Sequence, residues 1–177
     1  APHPSYMNSG SLTATNVTAT GNTARSGGVF YSSGGALTAT NVTATGNVAS
    51  ELGGVLYVSG AKTTATITAS NWNGNTATDG GAIYAAGATV NLTGSTLKEN
   101  TGDNGGAVYA LDNSIMNMSG VTLENNLATV KGGAIYATSN GEVNISDSSF
   151  LNGNTAPAAG AVYVDKGATV TVNNSTL

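Results

Sequence analysis

The sequence predicts an all-β solenoid built from short parallel strands that repeat along the chain. A motif of two small residues, two apolar residues and a tyrosine occurs six times, at intervals of 25 to 27 residues. Its copies begin at Gly27, Gly53, Gly80, Gly105, Gly132 and Ala159. The composition is rich in Thr, Asn, Ser, Val and Gly, which is typical of short strands and tight turns. Such a repeat indicates one structural unit stacked on its neighbours.

The composition also argues against several other classes of protein. The 177 residues include 25 glycines, 8% charged residues and no cysteine, with a formal net charge of -4. Glycine at this frequency disfavours a helical solenoid. Nucleic-acid binding needs clustered basic residues, and no Lys or Arg here has a basic neighbour. We therefore expect no nucleic-acid partner. The apolar runs are also far shorter than the roughly 20 residues of a membrane span, so we expect no membrane insertion.

The first strand of each coil is predicted where apolar residues alternate with hydroxyl or amide residues, as in Leu37-Thr38-Ala39-Thr40. Side chains alternate across a strand, so the apolar residues point inward and the polar ones outward. The outward residues form a possible binding face made of Thr13, Thr15, Thr38, Thr40, Thr66, Thr68, Asn91, Thr93 and Thr171. Asn117, Ser119, Asn144, Ser146 and Asn173 extend the same two rows.

A second strand follows a few residues later in each coil. Its predicted inward residues are Val17, Ala19, Val42, Ala44, Trp72, Leu97, Leu123, Phe150 and Leu177. Its outward residues begin with threonine pairs and later include Lys98 and Glu124.

The third strand is predicted directly after the doublet. Phe30, Leu56, Ile83, Val108, Ile135 and Val162 form a uniformly apolar column that is expected to face the core. The following tyrosines would then form an outward ladder of Tyr31, Tyr57, Tyr84, Tyr109, Tyr136 and Tyr163. The opposite phase, with the tyrosines buried, stays open at this point. Glycine in the doublet supplies the backbone conformations that a tight corner needs.

Three strands per coil, parallel between coils, describe a right-handed parallel β-helix of about six to seven coils with 25 to 27 residues per coil. We expect one domain over residues 1–177. Residues 1–8 form an N-terminal arm and partial coil, and residues 166–177 form a partial C-terminal coil. His3 lies between two prolines in that arm, where a mobile tail is expected rather than a ligand.

Two motifs carry a resemblance to a known family. Gly-Gly-Ala followed by Ile or Val occurs at 80, 105 and 132, and an apolar residue stands three before Asn75, Asn100 and Asn126. This pattern resembles the GGA(I/L/V) and FxxN repeats of the chlamydial polymorphic membrane proteins. The resemblance implies a β-helical, secreted or surface-displayed adhesive protein of the autotransporter passenger type. The last doublet departs from the pattern as Ala159-Gly160, and Phe150 stands four residues before Asn154 rather than three.

The chemistry of an enzyme is not evident in the sequence. A catalytic site on such a fold needs clustered carboxylates, often beside Lys or Arg. The nine acidic residues are instead spread along the coils. Glu51, Asp79 and Asp103 precede doublets in successive coils and could stack there as solvated corner charges. We therefore expect no enzymatic activity, no metal and no cofactor.

Seven Asn-x-Ser/Thr sequons are possible N-glycosylation sites, namely Asn16, Asn41, Asn91, Asn117, Asn144, Asn173 and Asn174. The alternative is that Asn and Thr simply stack as exposed ladders, which this composition favours.

Function is expected to depend on the exposed ladders and the coil ends. We expect an extracellular structural or adhesive element that associates with itself head to tail or is displayed on a cell surface. Neither predicted partial coil has an evident cap, which indicates either head-to-tail stacking into a filament or a segment of a longer β-helix. A host or cell-surface receptor, or glycans, are further possible partners. The alternative is ice binding by the outward Thr-x-Thr rows, which resemble the flat faces of antifreeze proteins.

Overall fold

The computed structural model describes residues 5–177, so His3 and the first half of the predicted arm lie outside the described residues. Twenty-four strands pair in parallel into three long sheets and two small ones. Within residues 5–177, no helix is long and apolar enough to cross a membrane.

The three long sheets are named here by a characteristic residue. The tyrosine sheet contains β1 (Ser5–Met7), β5 (Phe30–Ser32), β9 (Leu56–Ser59), β12 (Ile83–Ala86), β16 (Val108–Leu111), β20 (Ile135–Ala137) and β23 (Val162–Val164). The threonine sheet contains β2 (Ser11–Thr15), β6 (Ala36–Thr40), β10 (Thr64–Thr68), β13 (Thr89–Thr93), β17 (Ile115–Ser119), β21 (Glu142–Ser146) and β24 (Thr169–Val172). The tryptophan sheet contains β3 (Thr18–Thr20), β7 (Thr43–Thr45), β11 (Asn71–Asn73), β14 (Thr96–Lys98), β18 (Thr122–Glu124) and β22 (Phe150–Asn152).

A coil runs from a strand of the threonine sheet, through the tryptophan sheet, to a strand of the tyrosine sheet. The first coil thus begins with β2, the sixth ends with β23, and β24 begins a seventh. Coils pair residue for residue: Thr64–Thr68 lies in register with Thr89–Thr93, without offset. Each position therefore forms a column with one residue per coil, spaced by roughly 4.8 Å along the axis.

The core lies inside the coils and is made of these inward columns. Ala44, Trp72, Leu97 and Leu123 follow one another in a single column, and each is at most 1% exposed. The column after the doublet is also buried, as predicted, from Phe30 to Ile135. Burial of apolar columns from three sides is the main stabilising contribution to such a fold.

The two glycines of each doublet have different structural roles. Gly80 has a φ of 64°, and a Cβ there would lie within 3.0 Å of the carbonyl oxygen of Ile83. Gly81 has no such backbone constraint, but a Cβ on it would lie within 3.0 Å of the carbonyl oxygen of Gly106 in the next coil. The first glycine makes the corner and the second allows coils to stack closely. The sixth copy places Ala159 in the same left-handed region, at a φ of 57°.

A fourth, irregular face is present in addition to the three predicted strands of each coil. It contains β4 (Thr23–Ser26) paired with β8 (Val48–Leu52), and β15 (Thr101–Asn104) paired with β19 (Leu127–Lys131). Both pairs have a register shift, and single bridges continue the face between them. The segments lack regular apolar and polar alternation, which is why periodicity did not reveal them.

The prediction that Phe150 points inward is wrong. Phe150 is 41% exposed and pairs with Thr122, whereas Leu151 is 3% exposed and pairs with Leu123. The corner between β21 and β22 contains one more residue than the corner between β17 and β18 in the previous coil. Asp147 and Ser148 both adopt positive φ to accommodate the extra residue. Leu151 therefore stands three residues before Asn154, so the sixth coil keeps the spacing that Phe150 appeared to break.

Two further residues predicted to be inward are exposed. Val17 and Leu177 lie in the first and seventh coils, where no other described coil covers them. Val42, the equivalent of Val17 in the second coil, is buried.

Candidate functional site

The tyrosine column lies on the outer surface of the tyrosine sheet. Neighbouring rings from Tyr31 to Tyr163 have centroids 4.5 to 5.5 Å apart, and Tyr6 adds a ring 5.1 Å from Tyr31. The phase left open by the sequence is therefore outward. Most of these rings are half-buried against their neighbours, and Tyr136 is buried.

The ladder is divided into two stacks. The rings of Tyr6, Tyr31, Tyr57 and Tyr84 are parallel within 20°. Between Tyr84 and Tyr109 the planes turn by 79°, after which Tyr109 and Tyr136 are again stacked at 16°. A stacked ring covers the face of its neighbour, so the stacks present ring edges and hydroxyl groups to solvent. This mutual covering is interrupted at the junction between Tyr84 and Tyr109, and again between Tyr136 and Tyr163, whose planes differ by 55°.

A second column, here called the edge column, borders the tyrosine ladder. It contains Leu52, Asp79, Asn104 and Lys131, which are bridged in register on the fourth face. Lys131 Nζ lies 4.7 Å from the ring centroid of Tyr163 and 5.7 Å from that of Tyr136. It also lies 4.0 Å from Asp165 Oδ2, which accepts a hydrogen bond from the Tyr136 hydroxyl at 3.3 Å. An ammonium group thus sits over two rings of the ladder.

Asp79 has the same position two coils earlier. Its Oδ1 accepts a hydrogen bond of 2.9 Å from Asn104 Nδ2. Burial is the main cause that raises the pKa of Asp79. Burial, followed by the charges of Tyr57, Asp79 and Asp112, raises the pKa of Tyr84 to about 12. Burial and the charge of Asp79 also raise the pKa of Tyr109. The carboxylate of Asp79 therefore acts on both rings of the junction.

Sequence reasoning missed the edge column as a feature of the tyrosine face. The available signal was a constant spacing, because Asp79, Asn104 and Lys131 each stand five residues before a tyrosine. The spacing has meaning only once the doublet is known to form a corner that brings the two columns side by side.

The structure places the threonine rows on the outside of the threonine sheet. Thr13, Thr38 and Thr66 form one column with Asn91, while Thr15, Thr40 and Thr68 form the other with Thr93. Thr171 lies in the first of these columns, in the seventh coil. The two columns are threonine alone in the first three coils, and asparagine and serine enter them from the fourth coil onward.

The three middle sequons form a hydrogen-bonded outer ladder. Asn117 Nδ2 donates to Asn91 Oδ1 at 2.9 Å, and Asn144 Nδ2 donates to Asn117 Oδ1 at 3.1 Å. Asn144 Nδ2 also donates to Glu142 Oε1 at 2.8 Å. A shallow groove of about 180 Å³ runs between this ladder and the adjoining row of Thr93, Ser119 and Ser146.

The remaining sequons lie at corners. Asn16 and Asn41 are both exposed with positive φ, and Asn41 Nδ2 donates to Asn16 Oδ1 at 2.7 Å. Asn173 and Asn174 are exposed beside β24. Among the seven sequons, the side-chain nitrogens of Asn41, Asn117 and Asn144 are the ones that donate hydrogen bonds to another sequon.

The three acidic residues expected to stack do not form one column. Asp79 lies in register with Leu52 and Asn104, so Glu51 and Asp103 are each one residue out of that column. Glu51 pairs with Arg25 at 2.8 Å, and Asp103 accepts a hydrogen bond from the hydroxyl of Thr129. The reason is their distance from the doublet, because Asp79 stands one residue before Gly80 whereas Glu51 and Asp103 each stand two residues before theirs.

A second asparagine ladder, here called the inner ladder, lies inside the coils. It contains Asn22, Asn47, Asn75, Asn100, Asn126 and Asn154. Asn100 Nδ2 donates to Asn126 Oδ1 and to the Trp72 carbonyl oxygen, both at 3.0 Å. Asn100 Oδ1 accepts from the backbone N and from Nδ2 of Asn75, also at 3.0 Å. All four hydrogen-bonding positions of this buried amide are thus used.

These features define a class: a β-solenoid whose coils are held by a buried amide ladder and which displays regular ladders outside. A protein-family model described as the right-handed β-helix region matches residues 6–177. The chain therefore belongs to the right-handed β-helix family, and its predicted fold is confirmed. Searches against curated proteins and solved structures gave no match.

Proposed function

We propose that this protein is a non-enzymatic structural and adhesive rod that works outside the cell or on its surface. One observation carries the proposal: the three sheets keep the same register through all six complete coils. Together with the inner ladder, this register gives a stiff rod that holds rows of hydroxyl, amide and phenol groups at fixed spacing. A surface rich in Thr, Ser and Asn supports an extracellular location.

The adhesive part of the proposal is supported by the tyrosine ladder and by the resemblance to GGA(I/L/V) repeat passengers. Tyrosine offers a large, rigid contact area and a hydroxyl group at little cost in side-chain entropy. The groove along the outer ladder offers amide and hydroxyl groups that suit a glycan. A cell-surface receptor or a glycan is therefore the proposed partner besides the protein itself.

The non-enzymatic part is supported by how the carboxylates are used. Glu51 is held by Arg25, Asp103 by Thr129, and Asp147 by Ser119 and Ser146. This ion pair and these hydrogen bonds connect one coil or corner to another. They are distributed over different corners instead of converging on a groove.

Head-to-tail association follows from the uniform register. Because every coil presents the same backbone pattern to the next, a coil of a second copy can continue the stack in the way that coils stack within the chain. Val170 and Val172 point inward in β24, where they pack against the core and are half-buried. A further coil stacked on β24 would cover them.

The test is electron microscopy and sedimentation of the chain 1–177 and of two variants. We expect filaments from the unmodified chain. Val170→Asp places an unpaired charge where a further coil would bury it and should abolish the filaments. Thr171→Asp places the same charge on the outer surface of the same strand and should leave them intact. A strictly monomeric rod, or equal behaviour of the two variants, contradicts self-association.

Ice binding is the second candidate, favoured by the paired threonine columns of the first three coils. Regular, uncharged hydroxyl and methyl rows are what an ice-ordering surface needs. Thermal hysteresis and ice-crystal shaping test it directly. We expect Thr40→Tyr and Thr68→Tyr to remove any such activity, whereas Asn117→Tyr on the later coils should have less effect. A millimolar sample with no hysteresis and no crystal shaping excludes this function.

A further inference from the structure

The molecule contains one aromatic and carboxylate site that is occupied by its own lysine and a second, similar site that is not. In the occupied site, Lys131 Nζ lies over the rings of Tyr136 and Tyr163 and beside Asp165. Distances of 4.7 and 5.7 Å to the ring centroids are within the range of attractive cation–π contacts. This arrangement shows what a tyrosine pair of this ladder and a neighbouring carboxylate can hold.

The second site is at the junction between Tyr84 and Tyr109. The edge column there carries Asp79 instead of a lysine, in register with Leu52 and Asn104. Each ion pair that the structure describes lies elsewhere, on Glu51, Glu99, Glu124 or Asp165. Asp79 is half-buried and bonded to a neutral amide, so its negative charge has no cation opposite it within the described chain.

The ring geometry at this junction differs from that of the parallel pairs of the ladder. Four neighbouring pairs are within 20° of parallel, whereas the planes turn by 79° between Tyr84 and Tyr109 and by 55° between Tyr136 and Tyr163, the pair that Lys131 contacts. The negative face of a ring attracts a cation, and a carboxylate beside it adds to that attraction. The junction therefore combines the two features that hold Lys131 two coils away.

We propose that Tyr84, Tyr109 and Asp79 form a binding site for an alkylammonium group, such as a lysine side chain of a protein partner. The proposal rests on the adhesive role of the tyrosine face and specifies the chemistry of its partner. It does not depend on filament formation. A free primary amine and a protein-borne lysine share this chemistry, so they are distinguished by experiment.

The experiment is an NMR titration of the folded chain labelled on its tyrosine rings. The probes are n-butylammonium, the peptide Gly-Lys-Gly with blocked ends, and the matched neutral peptide Gly-norleucine-Gly. We expect the first two to shift the ring signals of Tyr84 and Tyr109 and the neutral peptide to leave them in place. A tighter response to the lysine peptide than to butylammonium would identify a protein-borne lysine as the source, and the reverse order a free amine.

Charge variants test whether the site is the one described. Asp79→Asn should weaken binding by roughly fivefold, the scale of a partly exposed charge contact. Asp147→Asn removes the same charge at the corner after β21 in the sixth coil and should have no effect. Lys131→Met should create a second responsive site at Tyr136 and Tyr163, because it removes the resident ammonium while keeping the aliphatic stem.

Three results would overturn the proposal. One is the absence of ring shifts at probe concentrations up to about 50 mM, the range expected for a weak single contact. Another is an equal loss of affinity in Asp79→Asn and Asp147→Asn, which would indicate diffuse attraction to a negatively charged protein. The third is a shift confined to rings outside the junction. Monomeric behaviour of the chain, by contrast, would contradict only self-association.

Discussion

Asparagine ladders lie both inside and outside the coils, and an asparagine side chain contributes differently to stability in each. In the inner ladder, Asn100 is fully buried and uses all four of its hydrogen-bonding positions. In the outer ladder, Asn117 is half-buried and joins Asn91 and Asn144 by one bond each. Water can replace the outer bonds but has no access to the inner ones. The inner ladder therefore holds the coils together, and the outer ladder forms a surface.

The direction of the bonds also differs. Inner amides donate toward the following coil, as Asn75 does to Asn100, whereas outer amides donate toward the preceding coil, as Asn117 does to Asn91. The inner bonds are supplemented by backbone groups, such as the Trp72 carbonyl oxygen that accepts from Asn100. A chain of this kind is cooperative, because each amide polarises the next.

The largest predicted effect is on the inner ladder. Asn100→Ala removes the acceptor of the Asn75 backbone N–H and of one Asn75 Nδ2 hydrogen, and both are buried. Asn126 Oδ1 keeps the hydrogen bond from the backbone N–H of residue 100. At about 1–3 kcal/mol for each of the two unsatisfied donors, we expect a loss of about 2–6 kcal/mol in the free energy of unfolding. Asn117→Ala is the matched change outside and should cost about 1 kcal/mol or less. Denaturant unfolding measures both, and similar losses would contradict the distinction between the ladders.

Aromatic residues allow the same inside and outside comparison. Trp72 is 1% exposed and fills the core column between Ala44 and Leu97. Trp72→Ala should lower the free energy of unfolding by about 3–5 kcal/mol. Tyr57→Ala removes a ring stacked between Tyr31 and Tyr84 and should cost about 1–2 kcal/mol. An outer ring that proved as costly as Trp72 would mean that the tyrosine ladder is structural.

The corrected register of the sixth coil gives the next test. Leu151→Ala creates a cavity in the core and should cost about 2–3 kcal/mol. Phe150→Ala, one residue earlier, shortens an exposed side chain and should change the free energy of unfolding by about 0.5 kcal/mol or less. The opposite order would restore the assignment that the sequence pattern suggested.

High pH should lower the free energy of unfolding through the tyrosines of the outer surface. Tyr84 has a pKa of about 12 in the folded chain against 10.0 for the unperturbed group, so the folded state keeps a proton that the unfolded state has lost. The stability contributed by neutral Tyr84 is therefore fully present below pH 10 and is lost as the pH rises toward about 12. Tyr109, whose pKa is also raised, should act in the same direction.

The measurement is denaturant unfolding of the unmodified chain and of Tyr84→Phe between these two pH values. The variant lacks the ionisable group and should lose less stability over the interval. An identical pH dependence for the two proteins would show that Tyr84 does not titrate in the predicted way.

The smallest effect is expected on the threonine rows. Thr66 is exposed in the middle of β10, and Thr66→Val keeps its shape and β-branching while removing the hydroxyl group. The free energy of unfolding should change by about 0.5 kcal/mol or less. A loss of ice shaping or surface binding without a loss of stability would assign the row to function. A large loss of stability would assign it to the fold.

The sequence by itself determined the coil period, the inward columns and the glycine corners, because each depends on a local pattern repeated in every coil. Side-chain alternation identified Thr38 and Leu37 as opposite faces, and the doublet marked each corner. The resemblance also singled out Asn75, Asn100 and Asn126 as members of a motif, but the sequence did not reveal that they form one continuous hydrogen-bonded column.

Only the tertiary structure decided which features lie beside one another across a corner. The outward phase of the tyrosines, the exposure of Phe150 and the position of Lys131 over two rings all depend on how many residues each corner contains. Lys131 and Tyr163 are separated by a whole coil in sequence, yet stacking brings them within 4.7 Å. The one extra residue in the corner before β22 places Leu151 rather than Phe150 in the core column. Local periodicity cannot supply that count, because corners and the irregular fourth face have no period of their own.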